Sequence, residues 1–206
     1  MTVSYPLSWP SSPAPRDATI RQVSKVATTE SAFTFSTQKQ RHAGQRWEID
    51  ITLPPMTDTT ARSWTSFILS LNGTEGTVLI PHPDRQTATG IATGTPLTNG
   101  SHAAGVNSLV TDGWTISTTN ILKAGDVIQI GSYMYEVLNS VNSDGSGNAT
   151  LDIWPRVRST IANNTTITVS NPKTLMRLAS NDNSWATNSL KHHEITLTFI
   201  EELPSS

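Results

Sequence analysis

Apolar and polar positions alternate most cleanly over residues 45–80, and the rest of the chain can be laid out around that run. Trp47, Ile49, Ile51 and Leu53 alternate with Glu48, Asp50 and Thr52. A period of two predicts a strand with one apolar and one polar face. Pro54 and Pro55 end it, because proline cannot donate to a ladder. The period then changes. Ala61, Trp64, Ile68 and Leu71 fall at i, i+3, i+7 and i+10, and Phe67 widens the stripe, which predicts one helix over residues 57–71. Thr57 or Asp58 is the expected N-cap, and Asn72-Gly73 the expected left-handed end. Residues 77–80 return as a strand. An apolar stripe of this kind needs a sheet beneath it, and the flanking strands supply one.

Elsewhere the pattern is strand-like and broken by turns. Residues 1–17 hold Pro6, Pro10, Pro13 and Pro15, so neither a regular helix nor a central strand fits there. Tyr5, Leu7 and Trp9 lie on this stiff segment, which reads either as a loose tail or as an extended arm docking on a neighbouring subunit. Strands are predicted over 19–28 and 32–37, the second with Phe33 and Phe35 on one face and a turn at Glu30-Ser31 between them. Residues 84–111 are rich in Thr, Gly, Asn, Ala and Ser and predict long loops or short strands. Then follow a short strand over 115–118, a turn over 122–126, and a hairpin over 126–141 that turns at Gly131-Ser132. A glycine turn over 142–148 leads to strands over 149–154 and 165–170. Short strands with glycine turns of this sort suggest a small barrel. Strands over 175–180 and 190–202, separated by a polar loop around Trp185, close the chain. The last strand repeats the pattern of 47–53 and would pair with it in one antiparallel sheet. The fold class expected is mainly β. Residues 1–85 plus 171–206 form one discontinuous domain with a packed helix, and a small β-module, 86–170, is inserted into it. A single large β-sandwich is the other arrangement the pattern allows.

Composition narrows the chemistry. The 206 residues carry a formal net charge of −2, with 15% charged residues, which supplies no electrostatic basis for wrapping nucleic acid. Cysteine is absent, so disulfides, thiolate metal sites and a cysteine nucleophile are excluded. No apolar run is long enough to span a bilayer, and no basic start precedes an apolar core, so a soluble protein without a signal peptide is expected. His192 and His193 are adjacent on a predicted strand and point to opposite faces, which does not suit a shared metal ion. His42, His82 and His102 stand apart in loops. The segment from Asn142 to Asn148 lacks the glycine position and the bidentate Glu of a calcium loop and reads as a hairpin turn. Neither a phosphate-binding glycine loop nor a nucleophile elbow is present. Glu48 and Asp50 share the polar face of a strand, without the cleft that paired glycosidase carboxylates need. The six Trp are read as core and interface anchors. No cofactor, metal or catalytic residue is expected; a hydrolase with a hidden site is a remote third possibility.

One further signal lies in the wording of the chain. Arg46 to Thr52, Leu53-Pro54-Pro55-Met56-Thr57, Ala61, Trp64, Phe67, Leu69-Ser70-Leu71-Asn72-Gly73 and Gly76-Thr77 resemble a run found in distal tail proteins of long-tailed, siphovirus-type bacteriophages. Leu122-Lys123-Ala124-Gly125-Asp126, Asp144-Gly145-Ser146-Gly147 and Ile153-Trp154-Pro155-Arg156 continue the likeness, which is weakest in the N-terminal segment and over 84–112. The resemblance implies a split β-barrel with one helix and an extra β-module. It also implies a homo-hexameric ring that joins the tail tube protein to the hub or baseplate protein and the fibres. The implied location is the virion tail tip, after synthesis in the host cytoplasm. The inserted stretch does not read as a galectin-like sugar fold. The alternative function is a carbohydrate- or receptor-binding module at the tail tip, carried by 86–170. On the assembly reading, Tyr5, Leu7 and Trp9 are the candidate oligomer contacts. Glu48, Asp50 and Thr52 are the candidate lining of a ring opening that lets DNA pass, with no sequence-specific nucleic acid and no membrane as partner.

Overall fold

The computed structural model describes residues 3–10, 12–189 and 192–204. It is mainly β, with one α-helix among the described residues. In chain order the elements are β1 (Leu7–Ser8), β2 (Asp17–Glu30), β3 (Thr37–Thr52), α1 (Asp58–Leu71), β4 (Thr77–Pro81), β5 (Gly94–Thr98), β6 (Ser108–Trp114), β7 (Val127–Ile130), β8 (Tyr133–Val137), β9 (Ala149–Trp154), β10 (Ile167–Thr168), β11 (Lys173–Leu178), β12 (Trp185–Thr187) and β13 (His193–Glu201).

A seven-stranded sheet runs β1-β4-β11-β13-β3-β2, with β12 on β13. Its centre is the expected pairing of the two alternating strands: Leu197 lies opposite Ile51, and Phe199 opposite Ile49. Their apolar faces meet Ala61, Trp64, Phe67, Ile68 and Leu71 of α1, all buried. The helix ends as its sequence demands. Asn72 takes φ 50°, its N–H reaches Leu69 O at 3.1 Å, and Gly73 follows at φ 68°. Thr57 occupies the N-cap without a side-chain hydrogen bond; Asp58 instead pairs with Arg62 one turn on.

A second sheet, six strands in the order β10-β7-β8-β9-β6-β5, is drawn wholly from residues 94–168. A bridge from Leu97 to Thr166 brings its two edges together, so it is nearly closed and barrel-like. Leu109, Ile121, Leu122, Ile128, Val137 and Leu151 fill its interior. The chain passes from one sheet to the other over a paired stem. Lys173 lies opposite Pro81, His82 N bonds Pro172 O at 3.0 Å, and Thr87 bridges Ser170.

Three expectations need correction. The strand expected over 32–37 does not form: residues 32–36 are the turn of a β2–β3 hairpin, with Ser31 N bonded to Ser36 O and Phe35 at φ 54°. The alternation of Phe33 and Phe35 imitates a strand, yet no face exists there on which to bury it. Residues 37–44 belong to β3. Residues 115–118 form a turn, with Ser117 at φ 49°, and the strand lies earlier, ending at Trp114. The polar loop around Trp185 contains the short strand β12. Leu190, the start of the predicted closing strand, lies outside the described residues.

Candidate assembly surface

The N-terminal segment, which the sequence reads either as a loose tail or as an arm docking on a neighbouring subunit, packs against its own chain. β1 adds to β4 in parallel, Leu7 beside Val78. Trp9 sets its ring edge-on against Trp64, Phe67 and Phe199 at centroid distances of 5.1, 5.9 and 5.7 Å. Tyr5 donates its hydroxyl to Ser70 O at 2.7 Å, close over Gly76, where a Cβ would lie 2.6 Å from the Tyr5 ring. Tyr5, Leu7 and Trp9 thus pack on the helix and sheet of their own chain and stay half-buried. Proline stiffness lays the segment along the body, and its apolar residues find the helix that the sequence had already predicted.

Glu48, Asp50 and Thr52 lie on the face of β3 away from the helix, as predicted. They do not form an acidic stripe. Arg46 reaches the Glu48 carboxylate with Nε at 2.9 Å and Nη2 at 2.6 Å. Arg21 lies 3.3 Å from Glu48 and 3.2 Å from Asp50, and Thr198 donates to Asp50 at 2.7 Å. Thr52 stands between Thr196 and Asp17. Two carboxylates face two guanidiniums, so this patch is a neutral network. Sequence alternation identifies the face, but β2 supplies Arg21 from 27 positions before Glu48, and no local pattern announces that.

Sequence reasoning missed a long exposed feature. β13 pairs with β3 from Thr52 to Glu48, whereas β2 stays on β3 all the way to Thr37. Beyond the sheet the hairpin continues as a two-stranded ribbon, and every residue over 24–44 except Ser31 is exposed. Between Ser24 and Val26 the register slips, so that His42, Ala43 and Gly44 bulge out opposite Lys25. A bulge bends a ribbon and re-aims its side chains. Here Lys25, Arg41 and His42 open onto a crevice shared with Trp154 and Arg156, beside the second sheet. At the far end Phe33 is 95% exposed and Phe35 76%. Charge is uneven as well. Residues 21–46 hold five Lys/Arg against one Glu, leaving nine against fifteen acids in the rest of the chain.

At the root of the ribbon lies a groove of about 530 Å³. Ile51 and Ile80 floor it, and Trp9, Pro10, Ala18 and Ile20 line it. Where the two sheets meet, Glu201 is 3% exposed. It accepts from Arg158 Nε at 3.1 Å, from Arg158 Nη2, and from Trp47 N at 3.0 Å. Burial pushes the Glu201 carboxyl above its ordinary range while Arg158 pulls it back. Trp47 stacks edge-on against Trp154 at 4.4 Å, and Gln45 Oε1 accepts from Arg156 N at 2.9 Å. Burial also holds the nearby Tyr135 phenol up at about 12.

The histidines do not converge. His82 is buried against Asp84, His193 lies 3.6 Å from Asp58, and no three potential ligands gather among the described residues. No protein-family model matches the chain, and no curated protein matches it either.

Proposed function

We propose that the protein is a structural subunit of a long-tailed bacteriophage tail. Identical copies form a ring, most simply a hexamer, that joins the tail tube to the tail-tip hub or baseplate and its fibres. On this reading residues 1–85 plus 171–206 are the split β-barrel that builds the ring, and residues 86–170 are a module inserted into it. The motif resemblance from Arg46 to Thr77 supplies the family, and the two-stranded ribbon is the observation that carries the assembly role. An isolated hairpin is only marginally stable in water. This one projects exposed main chain, the exposed cations Lys25, Lys39 and Arg41, and two bare phenylalanines. Such a surface gains stability when a second molecule covers it. The polar face of β3, with Glu48, Asp50 and Thr52 matched by arginines, offers passing DNA no unpaired cation. The test is the mass of the purified full chain in solution, by light scattering and by negative-stain imaging. Closed rings of six are expected. A single-copy mass at every concentration up to the solubility limit would refute the assembly role.

A further inference from the structure

We propose that the phenylalanine tip of the β2–β3 ribbon docks in the apolar groove of a second copy, so that copies join head to tail. This inference rests on the assembly role above and names the two surfaces involved. Among the described residues Phe33 and Phe35 are the most exposed large apolar side chains and sit on one turn, 95% and 76% exposed. The groove, of about 530 Å³, is lined by Ile51, Ile80, Trp9, Ala18 and Ile20, with Arg16 and Asp84 also facing it. Both features lie on the same two strands, at opposite ends. Ile20 pairs with Ile49 inside the sheet, and Glu30 pairs with Thr37 just before the tip. Ten residues of strand separate them, about 34 Å at roughly 3.4 Å per residue. A copy therefore cannot fill its own groove with its own tip.

Knob and groove occupy different parts of one surface, so the contact is heterologous, and a heterologous contact propagates into a ring or a filament. Charge favours the same partner. The distal ribbon carries Lys25, Lys39 and Arg41 against Glu30 alone, and the rest of the chain is acidic, with eleven Lys/Arg to fifteen Asp/Glu. A second copy thus attracts the ribbon before contact. Two phenylalanines bury roughly 300–500 Å² between them, about half of what one partner contributes to an ordinary stable interface of about 800 Å² a side. The flanking ribbon has the remaining surface to give.

The chain has no cysteine, so the contact can be trapped at chosen positions. In the full chain, Phe33→Cys and Ala18→Cys are introduced together and the protein is oxidised. A ladder of covalent species beyond the dimer is expected, and neither single variant should yield more than a dimer. Phe33→Ser/Phe35→Ser at the tip, and Ala18→Arg at the groove, should each weaken association at least tenfold with an unchanged unfolding midpoint, since all three sites are exposed. Rings that persist in both variants, with no ladder, would overturn this contact and leave the ring standing. A product that stops at the dimer would show a reciprocal two-fold contact and overturn the head-to-tail arrangement. A wild-type chain that never associates would refute the assembly role itself, and this contact with it.

Discussion

At the scale of single residues, the most demanding position is Glu201. Its carboxylate is buried between the two sheets and held by one guanidinium and one backbone N–H. A buried pair is costly to break from one side, because the remaining charge is left in low dielectric. Arg158→Met should cost about 3–5 kcal/mol in urea unfolding. Arg158→Met with Glu201→Gln should cost less than the single change. The sign with pH follows from the upward shift of Glu201. A carboxyl raised in the folded state favours folding at low pH and loses that contribution as pH climbs through its folded value. Arg158 opposes the shift, so its removal raises the carboxyl further. The deficit of Arg158→Met should therefore grow from acidic to neutral pH. His82 behaves in the opposite sense. Burial lowers it from 6.5 more than the Asp84 carboxylate, 2.8 Å from Nδ1, can raise it. A depressed histidine contributes stability above the unfolded value and loses it as pH falls below 6.5 toward its folded value. Wild-type unfolding midpoints should drop between about pH 7.5 and about pH 5.5, and His82→Gln should flatten the part of that drop owed to this ring.

At the scale of elements, the sequence is legible wherever one face is buried and the other wet. β3, β13 and α1 were readable for that reason: Trp47, Ile49 and Ile51, or Trp64, Phe67 and Leu71, carry the periodicity of their own element. Legibility ends where pattern and burial part. Phe33 and Phe35 alternate like strand residues and lie on a turn; Trp9 sits in a proline-rich run and lies on the core. The partner that decides each case is distant in sequence. Glu201 meets Arg158 across 43 positions, and Tyr5 meets Ser70 across 65. Tyr5, Leu7 and Trp9, and likewise Glu48, Asp50 and Thr52, thus have partners that no local pattern announces. The first segment now carries its own prediction. Trp9→Ala removes an edge-on contact to three rings and should destabilise the chain by about 3 kcal/mol, read by urea unfolding of the full chain. If Trp9 served only a neighbouring subunit, the stability of the single copy would not change.

At the scale of the molecule, both ends of the chain meet in one sheet while residues 94–168 make another. The small polar residues of 84–111 predict long loops or short strands, and β5 lies among them while β6 runs on to Trp114. The two sheets remain coupled through Trp47 with Trp154, Arg158 with Glu201, and Leu175 N with Ser132 O at 2.8 Å. Joining Arg85 to Asn171 through a short glycine turn should leave the seven-stranded sheet folded once Glu201 is changed to Gln and Trp47 to a smaller polar residue. Retained β signal with a cooperative melt is the expected result, and loss of both would show that the two sheets fold only together. The stem on which this rests, Pro81 against Lys173 and Thr87 against Ser170, has a consequence for descent. Its two strands already hold the ends of the excursion side by side, so lengthening the excursion adds only about 0.6 kcal/mol of closure entropy per doubling. A lineage can exchange what hangs from that stem, long for short or one sheet for another, while the architecture below is inherited unchanged.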